Sequence, residues 1–460
     1  MTNKNYLKTQ NKARPDGMLF KVMKLGFPVA IQSALVAILA LADVLMVSDF
    51  GKEATASVGI ASKWHFVAIM IMAGMASANG VLVAQYWGRR DKTSAKSITL
   101  LAMRYGAKIL IPVTFVITVF SGYIMMLQTS DAQVIALGSS YLWYSFPVLI
   151  LTHLVIVTES ALRSSGDTVT PLLLGTITIM VNIALNFWLI KGGWGVPAMG
   201  VAGAGLATTI SRLLQVILMV VYLKHRQHWL FIADTLVDSS KLWRSYVNIA
   251  LPTTGSAVIW ALGILSYQMI FGHMGTTELA VYSMMGPFES LCYAIFFGIS
   301  VACSILVGQA LGRDEFDQAI GMSAFFIKTV LFFGLLVGGI MLLGKAYILS
   351  WLNLDSPELY PIASPAIAVF CCIIWLRMLN MIIINGILRA GGDNQFCLKM
   401  DIISMWMVGV PITALGAFFF GLEFHQVYLL LAVEEIVKFS LCFHRYLKRH
   451  WMNNLTLATT

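Results

Sequence analysis

The sequence predicts an all-α, polytopic membrane protein: twelve membrane-spanning helices in two six-helix halves related by a parallel repeat. Three observations predict it. Of 460 residues, 58% are hydrophobic and only 12% are charged, too little polar surface for a soluble protein of this length. Apolar windows of about 20 residues, the length that crosses a bilayer, recur along the whole chain. Basic residues collect in alternate connections, and short motifs of the first half return in register in the second.

In chain order the expected spans are 18–49, 55–86, 97–127, 135–164, 168–190, 200–225, 243–273, 277–311, 316–345, 358–390, 394–421 and 424–447. Several exceed the minimum length, so tilt or bending is expected. Residues 1–17 read as a polar tail without a removable signal peptide, 18–225 as the first lobe, 226–242 as a linker, 243–447 as the second lobe and 448–460 as a closing tail. Ser165-Gly166-Asp167, Gly192-Gly193 and Gly391-Gly392-Asp393 are turn signals, while Gly203 and Gly205 suit close helix approach. Lys4, Lys8, Lys12 and Arg14, then Arg89, Arg90 and Lys92, then Lys224, Arg226 and Lys241, then Arg445, Lys448 and Arg449 mark one side of the membrane. The positive-inside rule places both termini and the linker in the cytoplasm. The formal net charge of +9 therefore reflects topology and contact with anionic lipid, not nucleic acid. Six cysteines show no metal spacing and read as packing residues.

Leu25-Gly26-Phe27-Pro28 recurs as Ile249-Ala250-Leu251-Pro252, an offset of 224. Gln85, Gly88 and Arg89 recur at the same offset as Gln309, Gly312 and Arg313. Leu162-Arg163 and Gly166-Asp167 recur as Leu388-Arg389 and Gly392-Asp393, an offset of 226. Six spans return each half to the same side, so the halves are parallel repeats, an architecture of transporters that bind substrate between halves and alternate access.

Within span one, the apolar run from Phe27 to Val47 carries Pro28 and one carboxylate, Asp43. An acid at bilayer depth is costly and faces a partner or a water-filled cavity. Pro28 removes a backbone N–H and offers a hinge. Asp43 is thus the candidate for coupling to protons or cations; the plainer reading is a structural acid bonded to neighbouring helices. Asn182 and Asn186 stand four residues apart and share one side of span five, with Thr208 in span six. Interhelical hydrogen bonding is the plainer reading for the two amides. His153 either lines the same pocket or packs.

These motifs resemble the multidrug and toxic compound extrusion (MATE) family, in the bacterial, amino-lobe cation-site (DinF-like) type. The likeness rests on the Pro28 to Asp43 spacing, Gln85-x-x-Gly88-Arg89, Ala161-Leu162-Arg163-x-x-Gly166-Asp167, Asn182-x-x-x-Asn186 and Gly203-x-Gly205 through Thr208. It implies a V-shaped, two-lobed fold and proton-coupled efflux of hydrophobic or cationic compounds, with Asp43, Asn182, Asn186 and Thr208 forming a cation pocket. Asn186 stands where that branch often has aspartate; fewer charges favour H+ over Na+, although the same oxygens suit sodium. The resemblance implies no cofactor, a bacterial inner-membrane location and a monomer.

Gln32, Glu289, Met72 and Met285 are candidates for the substrate cavity, where thioethers and ring faces adapt to varied apolar cations. Glu159 with Arg163 and Glu434 with Lys438 read as i, i+4 ion pairs. Asp401 and Arg377 have no partner that spacing identifies. Arg163, Arg389, Gln85 and Gln309 read as residues that fix loop geometry. The other branch carries acids in spans seven and ten; here Ser256 and Asn380 stand in those spans without a carboxylate, so a second-lobe cation site is not expected. A flippase for lipid-linked intermediates is the alternative transporter, but Arg104, Lys108 and Arg377 are too scattered to bind its anionic cargo. No metalloprotease, nucleophile-elbow or P-loop motif supports an enzyme.

Overall fold

The computed structural model describes residues 15–48, 50–127, 129, 131–193, 195–231 and 239–457. Within these, the side chains of Pro15, Asp16, Ala40, Leu41, Asp43, Val44, Leu45, Ser48, Lys52 and Ser239 lie outside the description, as do most of the amino-terminal tail and residues 232–238 of the linker.

The described residues form helices and no strand. The first half holds α1 (Pro15–Ser48), α2 (Lys52–Gly88), α3 (Lys92–Val119), α4 (Ser121–Met126), α5 (Ala132–Tyr144), α6 (Val148–Ser164), α7 (Val169–Lys191) and α8 (Val201–His225). The second holds α9 (Ser239–Met274), α10 (Thr276–Gly312), α11 (Phe316–Leu343), α12 (Lys345–Trp351), α13 (Tyr360–Met381), α14 (Asn394–Asp401), α15 (Val410–Ala414) and α16 (Phe424–Leu447). Helix α13 continues as a π-helical turn through Leu388, and α14 and α15 are joined by another, making spans ten and eleven.

Ten of the described helices are long and apolar enough to cross a membrane, and eleven if the pair α5–α6 counts as one span. That pair is expected span four, bent by 50° between Tyr144 and Val148. Pro147 explains the break, since it offers no N–H to the preceding turn and its ring crowds the carbonyl four residues back. Helix α1, in contrast, runs unbroken through Pro28. The twelfth span is α16, 24 residues long, about 36 Å at helical rise. Its polar middle holds Glu434, Glu435 and Lys438 and is neutralised inside the protein.

The halves are interlocked. The core of the second half includes Met18, Val22 and Leu25 of α1, and a first-half core includes Leu242, Tyr246, Ile249 and Ala250 of α9. Each half thus lends the leading turns of its first span to the other. Two repeat-related crossings permit this. At Gly298 of α10 a Cβ would overlap the Gly26 carbonyl and reach 2.8 Å from Ala30 of α1. At Gly74 of α2 a Cβ would overlap the backbone of Thr254 of α9. Gly74 and Gly298, like Ala30 and Thr254, are separated by the repeat offset of 224.

From these crossings α2 and α10 run together to the face that carries the basic connections, about 21 Å further along at helical rise. There, side chains at Gly88 and Gly312 would collide with the carbonyls of Gln309 and Gln85 respectively. Gly59 and Gly286, in the opposite ends of the same helices, have open space where a Cβ would stand. The lobes therefore meet backbone to backbone on the basic face. Gly88→Ala and Gly312→Ala are each expected to weaken this packing by about 1–3 kcal/mol, the usual range for overpacking. Thermal unfolding in detergent should show a lowered melting temperature for both, and none for Gly286→Ala.

Candidate functional site

In the first lobe, α7 and α8 approach closely because both have small residues where they meet: a Cβ at Gly203 would lie 2.6 Å from the Leu189 carbonyl. This brings the two asparagines of α7 onto α8. Asn186 Nδ2 donates to Asn182 Oδ1 at 3.0 Å, and Asn182 Nδ2 donates to Ser211 Oγ at 3.0 Å. The Ser211 hydroxyl in turn donates to the Thr208 carbonyl, while the Thr208 hydroxyl donates to Ala204 O. Asn182 and Asn186 are 3% and 1% exposed, so the string is an interior feature. Helix α1 packs along α7; the Asp43 side chain lies outside the described residues. His153 is fully buried and its Nε2 stands 3.2 Å from the Ala102 carbonyl of α3, seated in the notch left by Gly106. Its described hydrogen bond is to α3 and not to α7 or α8.

A second polar cluster lies on the same lobe. Glu159 of α6 accepts from Arg163 Nη2 at 2.8 Å and from Gln32 Nε2 of α1 at 3.0 Å. Arg163 also donates to Gln32 Oε1 at 2.8 Å, and Gln215 of α8 completes the cluster with Arg212 beyond it. Gln32 is 6% exposed, held by this network instead of facing open space.

In the second lobe the orphan charges acquire partners. Arg377 Nη1 donates to Tyr293 Oη at 2.5 Å and lies 3.5 Å from Glu289 Oε2, and its Nε lies 3.6 Å from Glu435 Oε1. Tyr428 donates to the other Glu289 oxygen, and Asn380 Nδ2 donates to Glu435 Oε2 at 2.8 Å. Two carboxylates share one guanidinium, which leaves a formal charge of one negative unit. Asp401 accepts from Ser256, which accepts from Arg389 Nη2 at 2.7 Å. Glu434 accepts from Lys438 at 2.9 Å and from Tyr267.

The repeat relates the two arginine clusters. Arg163 and Gln32 correspond to Arg389 and Ser256, and in each lobe the arginine donates to the polar residue of the lobe's first span. The acid does not keep its place. Glu159 corresponds to Asn385, which accepts from Arg389 at 2.8 Å. Asp401 corresponds to Gly175, where a Cβ would stand 3.2 Å from Gln32 Nε2. Each arginine has one adjacent acid, supplied by span four in one lobe and by span eleven in the other. Sequence reasoning missed Ser211, Gln215, Tyr267, Tyr293 and Tyr428; polar residues in apolar spans were the available signal, without a way to pair them. Met72 and Met285, expected to line a cavity, are instead fully buried in the apolar cores of their lobes. Unbranched thioethers fill irregular gaps there as well as they adapt to ligands.

Because Glu434 and Lys438 are 4% and 7% exposed, removing one partner strands a buried charge. Glu434→Gln alone is expected to cost about 3–5 kcal/mol, and Glu434→Gln with Lys438→Met to recover most of it. Chemical or thermal unfolding of the single and double variants measures this.

A family model, MatE, matches residues 28–188 and 252–415, each segment opening on a repeat-related proline. The chain is 26% identical over 447 residues to the uncharacterized transporter YisQ of Bacillus subtilis, covering 95% of this chain and 96% of that protein. It is 24% identical over 437 residues to the probable multidrug resistance protein YoeA of the same organism, covering 92% of each. Among solved structures, the Vibrio cholerae MATE transporter VcmN superposes with a TM-score of 0.87 at 17% identity, covering 96% of this chain and 98% of that one. A MOP superfamily transporter from Pyrococcus furiosus gives 0.84 at 18% identity, covering 96% of each.

Proposed function

Because the chain belongs to the MatE family, whose members are transporters and not enzymes, we propose that it exports hydrophobic and cationic compounds by alternating access in exchange for protons. The observation that carries this reading is the buried Asn186–Asn182–Ser211 string on α7 and α8, packed beside α1, the helix that holds Asp43. We assign Asp43 the coupling role, with Asn182, Asn186 and Thr208 as its partners and Pro28 as the weak point at which α1 bends. Protonation removes a charge from α1 and changes its hydrogen-bond demands; drug and proton then favour opposite states of the lobes, as linkage requires.

The surplus negative charge shared by Glu289, Glu435 and Arg377 supports cationic cargo, as do relatives named for multidrug resistance. Arg377 is held by two carboxylates, which argues against a flippase for anionic lipid-linked cargo. Sodium is the second reading for the coupling ion. Carboxamide and hydroxyl oxygens suit it, but Asn186 in place of a second acid leaves one formal charge at the pocket and favours the proton. We place the protein in a bacterial inner membrane with both termini cytoplasmic, an orientation that the basic connections support. One chain supplies both lobes, so the monomer is the working unit.

Reconstituted vesicles test the reading. An imposed pH gradient is expected to drive uphill drug transport without sodium, and Asp43→Asn to abolish the uphill component. A sodium gradient that drives transport at fixed, equal pH on both sides decides for the second reading.

A further inference from the structure

The seam between the lobes on the basic face is held by reciprocal contacts. Gln85 Nε2 of α2 donates to the Ala390 carbonyl of the second lobe at 2.8 Å. Gln309 Nε2 of α10 donates to the Ser164 carbonyl of the first lobe at 3.0 Å. Each glutamine caps the residue that follows the other lobe's clustered arginine. The repeat produces this pair, and both must break for the lobes to part on this face.

A third element lies across the same seam. After α16 the chain turns at Trp451, which is fully buried, its carbonyl occupying the space where a Cβ of Gly391 would stand. The next residues bond to both lobes. On the second lobe, Asn453 Nδ2 donates to Gly391 O at 3.1 Å and Asn454 Nδ2 donates to Asp314 Oδ1 at 2.8 Å. On the first, the Leu455 amide donates to Gln85 Oε1 at 2.7 Å and Arg89 Nη1 donates to Thr456 Oγ1 at 3.1 Å. The Leu455 side chain joins the apolar core of the first lobe while resting on Gly392 of the second. Thr456 is 1% exposed. Gln85 is therefore bonded at both ends of its amide: its nitrogen to the second lobe, its oxygen to the tail.

We propose that residues 451–457 are a gating strap that holds the transporter closed on the basic face. Trp451 anchors the strap to the lobe from which it emerges. Leu455 and Thr456 are its releasable end, and they leave the first lobe before the seam opens. Because it bonds to both lobes on this face, the strap favours the access state that is closed there. The proposal rests on alternating access, but not on which ion is coupled or on the role of Asp43.

Hydrogen–deuterium exchange on the full-length protein tests it, without drug or ion gradient. In Leu455→Ala/Thr456→Ala, exchange of residues 84–92 and 308–316 is expected to rise roughly tenfold, the scale of a lost hydrogen bond and a lost apolar contact. Peptides from α13 in the second-lobe core are expected to keep their wild-type exchange, and Leu455→Met to restore the seam. Unchanged exchange at the seam overturns the proposal, because the strap then covers a closure it does not hold. A rise shared equally by α13 also overturns it, because the tail is then a general structural prop. Failure of transport coupling to Asp43 leaves this readout unaffected, so the two readings fail separately.

Discussion

A charge within the hydrocarbon layer must be neutralised by a partner inside the protein, and this constraint organises the interior of both lobes. Glu159 has Arg163, Asp401 has Arg389, Glu434 has Lys438, and Glu289 and Glu435 share Arg377. The Asp401–Arg389 and Glu289–Arg377–Glu435 pairings tie together helices that apolar packing alone would leave free to slide, since lipid tails compete for the same apolar surface, and Gln32 and Tyr267 do the same for the pairs made within α6 and α16. The fixed member of the two repeat-related clusters is the arginine. The acid comes from span four in one lobe and from span eleven in the other, and the glycine at the vacated position, Gly175, leaves room for Gln32. What duplication preserved is charge balance around the guanidinium, with the acid free to change helix.

Rigid lobes leave the seam as the place where motion is cheap. The crossings at Gly74 and Gly298 are backbone-close and bring no large side chain between the helices. The contacts nearer the basic face are the close backbone approaches at Gly88 and Gly312 and a few directional hydrogen bonds, from Gln85, Gln309 and the tail. A handful of such bonds, each worth about 1 kcal/mol net, is on the scale of the few kcal/mol that separate two populated states. The leading turns of α1 belong to the other lobe's core, so a shift of this helix acts on both sides of the seam.

The spans, the two-half layout and the i, i+4 pairs were legible in the sequence, because hydropathy, repeats and helical spacing are local or periodic signals. The Glu159–Arg163 and Glu434–Lys438 pairs stand at the expected spacing. Partners of Arg377 and Asp401 were not legible: they lie on other helices, 88 residues away for Glu289 and 145 for Ser256, and no periodicity connects them. The glutamines Gln85 and Gln309 were legible as residues that fix loop geometry, but not as to which loops; each bonds to the opposite lobe. Spacing finds a repeat but does not say whether its copies touch. The bend at Pro147 was hidden for another reason: apolar runs on both sides of a proline look the same whether the helix kinks or breaks.

The claim at the centre of this account is that one ionisable group on α1 exchanges its proton when cargo binds. Titrating purified protein with a cationic drug in weakly buffered detergent solution near neutral pH, and counting the protons set free, measures that event without a membrane or a gradient. The account predicts proton release in step with drug bound, and its disappearance in a variant with asparagine at position 43. Equal release from both proteins, or none from either while the drug binds, contradicts it.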